Sequence, residues 1–163
     1  NYYKTMDISS LTIGILLFLI FMLPIIYVLI KQKSRQANLK KELNSLASAN
    51  DLKLDKFDTF GHLTLGLDSS KKMLVVIDPK MDVDREVIDL KKIRQVKITK
   101  NTLREQTRKE RIIHLGLELA ERDSSKITEI VFYDEEDYDS IDAEIRLNEA
   151  KRWDDLLQKN LAV

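Results

Sequence analysis

Residues 8–30 carry no charge; Asp7 precedes the run and Lys31 follows it. A helix rises about 1.5 Å per residue, so the run reaches about 35 Å and can cross a hydrocarbon core of about 30 Å. It is predicted to be a transmembrane helix. What remains, residues 31–163, has the size of one ordinary domain. A secretory signal peptide is the competing reading. Such a peptide has a shorter apolar core, positive charge ahead of it and a small-residue cleavage site close behind. Here Lys31, Lys33, Arg35, Lys40 and Lys41 follow the run, and Ala47-Ser48-Ala49 lies well beyond them. A retained signal-anchor fits better.

The same cations set topology. Lysine and arginine beside a span stay on the cytoplasmic side. Lys31, Lys33 and Arg35 therefore place the domain in the cytoplasm. Residues 1–7, with Tyr2 and Tyr3 suited to the interface and Lys4 as the only cation, lie outside. Within the span, Ser10 and Gly14 form a small-xxx-small pair on which two membrane helices can approach closely. Pro24 removes one backbone bond and is expected to bend the helix.

Residues 31–51 read as a juxtamembrane helix, with Leu39, Leu43, Leu46 and Ala47 at spacings of three and four and a stop at Asn50-Asp51. From residue 52 the period changes. Residues 52–57 and 62–67 alternate, 68–71 make a turn, and 72–77 form an apolar run, together a hairpin. Further strands are expected at 86–90, 93–100, 112–119 and 127–133, with 101–109 as a long polar connection. After the acidic stretch Asp134-Glu135-Glu136-Asp137, Asp139 or Ser140 can cap a final helix. Its apolar face is Ala143, Leu147, Ala150, Trp153, Leu157 and Leu161, widened by Ile145 and Leu156. The fold class is α+β: a single membrane helix, then residues 52–163 as an antiparallel sheet domain covered by a C-terminal helix.

No catalytic motif assembles. The chain has no cysteine and only 4 glycines, which removes thiolate chemistry and makes a phosphate-cradling loop hard to build. No serine sits in a Gly-x-Ser-x-Gly elbow. His62 and His114 lack metal-ligand spacing, and His114, between Ile113 and Leu115, falls on a polar sheet face. Asp78, Asp82, Asp84 and Glu86 lack the glycine and closing glutamate of a calcium loop, so a solvated connector is expected there. No metal, cofactor or enzymatic activity is expected. The 27 basic and 27 acidic residues cancel, which disfavours nucleic acid as a partner.

The charge is unevenly placed, however. Lys91, Lys92, Arg94, Lys97, Lys100, Arg104, Arg108, Lys109 and Arg111 gather in one hairpin. Asp134 to Asp137, Asp139, Asp142 and Glu144 gather before the last helix. These read either as complementary docking patches or as charges that keep sheet edges from aggregating.

Short antiparallel strands followed by one tryptophan-bearing helix resemble the pleckstrin-homology-like barrel, in which the helix plugs an open end. Ile88-Asp89-Leu90-Lys91-Lys92-Ile93-Arg94-Gln95-Val96 looks like the mid-domain strand and turn of bacterial members. Gly66-Leu67-Asp68, Phe132-Tyr133-Asp134 and Ala150-Lys151-Arg152-Trp153 are similar to segments of uncharacterised membrane-anchored proteins of Bacteroidetes-type bacteria. That resemblance implies a bacterial inner membrane and a barrel or bent sheet, and it carries over no reaction. The pleckstrin-homology resemblance also implies headgroup binding near Lys71 and Lys72, although two lysines beside a turn more often describe a solvated loop. The expected function is a non-catalytic bitopic subunit or scaffold. Its span would pack on partner membrane helices through Ser10 and Gly14, and its domain would dock a protein. The alternative is a sensor of anionic lipid that uses Lys71, Lys72 and the basic hairpin.

Overall fold

The structure is a computed structural model that describes residues 8–81, 84–104, 106, 109–137 and 142–161. Tyr2, Tyr3, Lys4, Asp7, Asp82, Arg108, Asp139 and Ser140 lie outside the described residues. The chain divides into two compact units, Asn1–Lys41 and Glu42–Val163.

Helix α1 (Ile8–Ala49) runs without interruption, with Pro24 inside it. In the first unit its side chains are exposed from residue 8 to residue 38, apart from a half-buried Met22. A soluble helix buries one stripe; the apolar stretch of this one buries none, so it is compatible with a single-pass membrane anchor or a signal sequence. The helix stops where Asp51 takes a left-handed φ of 55° and the Leu52 amide returns to the Ala47 carbonyl at 2.8 Å.

The second unit holds two antiparallel sheets. One contains β1 (Lys56–Phe60), β2 (Leu63–Asp68), β3 (Met73–Ile77) and β4 (Arg85–Asp89) in that order. The other contains β5 (Ile93–Arg104), β6 (Glu110–Glu121) and β7 (Ile127–Asp134). Helix α2 (Ala143–Asn160) follows. The expected single barrel or bent sheet is therefore two separate sheets without barrel closure. After β4 the chain makes a 3-10 turn, Leu90–Lys92, and begins a new ladder instead of extending the first.

The main core lies between the inner sheet faces and α2. It includes Leu63, Leu65, Leu67, Leu74, Val76, Leu115, Leu117, Leu119, Ile130 and Trp153. Strand β2 is buried along its whole length because its other face is covered too. There Leu43 and Ala47, from the last turns of α1, join Leu52, Val75 and Ile77 in a second cluster. Gly66 permits this approach: a Cβ there would lie 2.7 Å from Leu54 Cδ1 and 3.1 Å from Leu43 Cδ2.

Several boundaries differ from expectation. The alternation at 52–57 does not open a strand at residue 52; β1 begins at Lys56. Side-chain carboxylates hold the preceding segment instead. Asp68 accepts the Lys53 amide at 2.9 Å, and Asp55 accepts the Ser69 amide at 2.8 Å. Strand β5 extends through 101–104, read as loop from the sequence, because Asn101, Thr102, Leu103 and Arg104 pair with β6. Residues 101–104 are exposed, so pairing there leaves no apolar stripe to read. The α2 cap is Asp142, which accepts the Glu144 amide at 3.0 Å. Ile145, expected to widen the apolar face, is 51% exposed, and the buried neighbour is Arg146.

Asp68 anchors the β2–β3 turn by also accepting the Ser70 amide, the Ser70 hydroxyl and the Lys71 amide. The Ser70 hydroxyl, foremost, and the Lys53 and Lys71 amides hold its carboxyl down to about 2, from an ordinary 3.8. A depressed folded pKa contributes stability above the ordinary value that is lost as pH falls toward the folded one. Asp68→Asn, which turns one acceptor into a donor, should cost about 1–3 kcal/mol at neutral pH. The gap to the parent should narrow between pH 4 and pH 2. Denaturant unfolding of the full chain in detergent across that range checks this, and a pH-independent gap contradicts it.

Candidate functional site

Ser10 and Gly14 stand four residues apart on one face of α1, both exposed, with open space around a Cβ built at Gly14. Lys31, Lys33 and Arg35 follow on the same helix, also exposed.

The basic residues of the second unit are spread out. Lys71 and Lys72 lie in the β2–β3 turn, where Lys72 has a φ of 55° and the Lys71 ammonium bonds Asp51, 3.1 Å from its carboxylate. Lys91 and Lys92 are in the 3-10 turn, while Arg94, Lys97 and Arg104 are exposed along β5. Arg94 and Arg104 are ten positions apart, about 33 Å at strand rise. Lys97 is paired in register with Glu118, and Arg104 with Glu110. This is a mixed-charge surface, not a cationic pocket.

Two polar clusters form that spacing along the chain did not reveal. The first surrounds His62. Gly61, with a φ of 58°, turns the chain from β1 to β2. His62 Nδ1 then lies 3.2 Å from Asp137 Oδ2, and Nε2 lies 3.6 Å from Asp78 Oδ1. Lys80 pairs with the same Asp137 carboxylate. Asp78 is fully buried, unlike the solvated connector expected there, whereas Asp84 is exposed. Its Oδ1 accepts the Lys80 amide at 2.9 Å and its backbone amide bonds the Asp84 carbonyl. Arg146 covers the Phe60 ring at 5.7 Å. Among the described residues, His62 Nε2 and Asp78 Oδ2 are buried without a hydrogen-bond partner. Burial pushes the His62 pKa below its ordinary value, opposed by Asp78 and Asp137 and reinforced by Lys80 and Arg146. A proton taken up on the ring would sit between two carboxylates.

The second cluster lies on the outer face of the three-stranded sheet. His114 Nε2 is 2.6 Å from Glu129 Oε1, and Nδ1 is 3.5 Å from Asp134 Oδ2. Glu129 lies over Gly116, where a Cβ would come within 2.5 Å of its carboxylate. Burial alone lowers the His114 pKa, but the Glu129 and Asp134 carboxylates outweigh it and raise the net value. His114 occupies the polar sheet face that its alternation predicts.

Among the described residues no three His, Cys, Asp or Glu side chains are grouped to hold a metal ion. No family model matches the chain, and neither a curated protein nor a solved structure matches it.

Proposed function

We propose that the protein is a non-catalytic, single-pass membrane subunit or scaffold that packs its span on partner helices and docks a protein through its folded domain. The observation that carries this reading is the apolar helix, exposed at every position from 8 to 30 except Met22. Such a surface needs lipid or other membrane helices around it. Lys31, Lys33 and Arg35 support an orientation with the domain in the cytoplasm of a bacterial inner membrane. Four strands, then three, then a covering helix support the pleckstrin-homology-like reading of the domain. Its docking role rests on fold-level analogy. The lipid-sensor reading is the weaker one, because Lys71, Lys97 and Arg104 each face a carboxylate and β5 disperses its cations.

Two measurements test the proposal. The chain should remain in the membrane pellet after an alkaline wash, and release into the supernatant contradicts anchoring. Gly14→Leu fills the open face beside Ser10 and should remove about 1 kcal/mol of helix packing, about fivefold in recovery of a co-purifying membrane protein. Unchanged recovery of every partner rules out that face.

A further inference from the structure

Strand β4 is an edge of the four-stranded sheet and, among the described residues, ladders with β3 alone. Of the three other edges, β5 and β1 carry bonds from α2. At β5, Gln158 donates to the Val96 carbonyl at 2.7 Å, and at β1 the Asp58 carboxylate is held by α2. Beside β4 lies a cavity of about 320 Å³, lined by Glu86, Val87, Ile88 and Asp89 on one side and by Lys126 and Thr128 on another. The Lys126–Glu86 ion pair, at 3.3 Å, lies across it. Unpaired strand edges are templates for another strand.

We propose that this edge docks a second copy of the same chain, with β4 pairing antiparallel to its own counterpart about a two-fold axis through Val87. The strand reads Arg-Glu-Val-Ile-Asp, and its residues 85, 87 and 89 are complementary to their own counterparts in that register. Arg85 of each copy stands opposite Asp89 of the other, Val87 opposite Val87, and Glu86 opposite Ile88. Directly opposed residues share a sheet face, so the charge pairs and the valine pair align. Both charged groups keep capacity for the contact. Arg85 already pairs with Glu42, yet its side chain is 56% exposed and a guanidinium carries five donors. Asp89 Oδ1 accepts the Lys91 amide at 3.0 Å, which leaves Oδ2 available. The interface is isologous, as a two-fold dimer requires.

Five residues of edge bury less than the roughly 1,000 Å² of a stable interface, so the contact is weak between free domains. Confinement to one membrane raises effective concentration toward the millimolar range, and to that extent the dimer rests on the anchored reading above.

The chain has no cysteine, so each introduced thiol is the only one present. Full-length Val87→Cys, Arg85→Cys, Asp89→Cys and Thr59→Cys chains in native membranes would be oxidised and run on non-reducing gels. Opposed Cα atoms in an antiparallel pair are about 4.5–5.5 Å apart, within disulfide reach. Val87→Cys should therefore shift to twice the monomer mass at least tenfold more than Thr59→Cys on β1. Arg85→Cys and Asp89→Cys should cross-link when co-expressed and not singly, since like positions lie about 13 Å apart. No Val87→Cys dimer, equal dimer from Thr59→Cys, or dimer from Arg85→Cys alone overturns the proposal. A Val87→Cys adduct with a different protein overturns the second copy while leaving the docking reading intact. Loss of the chain from the alkaline-washed pellet counts against the anchor instead.

Discussion

Trp153→Ala lowers the unfolding free energy by about 3–5 kcal/mol, the cost of emptying a fully buried indole site. The position carries more than volume. Trp153 and Arg152 both donate to the Asp58 carboxylate on β1, at 3.0 and 2.6 Å. Five residues on, Gln158 holds the Val96 carbonyl of β5. Helix α2 thus ties one sheet to the other, and removing the indole also leaves Asp58 with one donor fewer. Trp153→Phe keeps most of the apolar fill and loses the N–H, so it should cost clearly less than the alanine variant. Denaturant titration of the full chain in detergent measures both. Equal losses for phenylalanine and alanine would mean that the Asp58 bond, and not the cavity, dominates.

Leu43→Ala should cost about 2–5 kcal/mol in the same titration. Leu43 is fully buried against Val75 and Ile77, on the face of β3 opposite the main core. The last turns of α1 are therefore part of the folded unit that begins at Glu42. A silent Leu43→Ala would mean that these turns do not cover the sheet.

Elements whose faces are apolar on one side were legible from the sequence. The alternation at 62–67, the run at 72–77 and the Ala150, Trp153, Leu157 stripe all correspond to elements with buried faces. Legibility failed where polar side chains replaced a ladder or a stripe. Asp68 and Asp55 hold residues that alternate like a strand, the exposed end of β5 pairs without burying anything, and Arg146 occupies a core-facing position through its contact with Phe60. The His62 cluster was hidden for a different reason. His62, Asp78, Asp137 and Arg146 come from four separate segments, and only the tertiary fold places them together. Ser10, Gly14 and the flanking cations needed no fold, because apolar length and charge asymmetry are local properties.

Every strand pairs with its immediate neighbour in the chain, β1 through β4 and then β5 through β7. Each ladder can therefore close by a short hairpin, an event of microseconds. The distant closure is that of α2 onto β1, where Asp58 and Trp153 are 95 residues apart. Contacts of long sequence separation form late and slowly. During synthesis both sheets leave the ribosome before the helix that joins them, so their inner faces stay uncovered until α2 has emerged. A chain that stops before α2 would be left in that state, with intact hairpins and no lid.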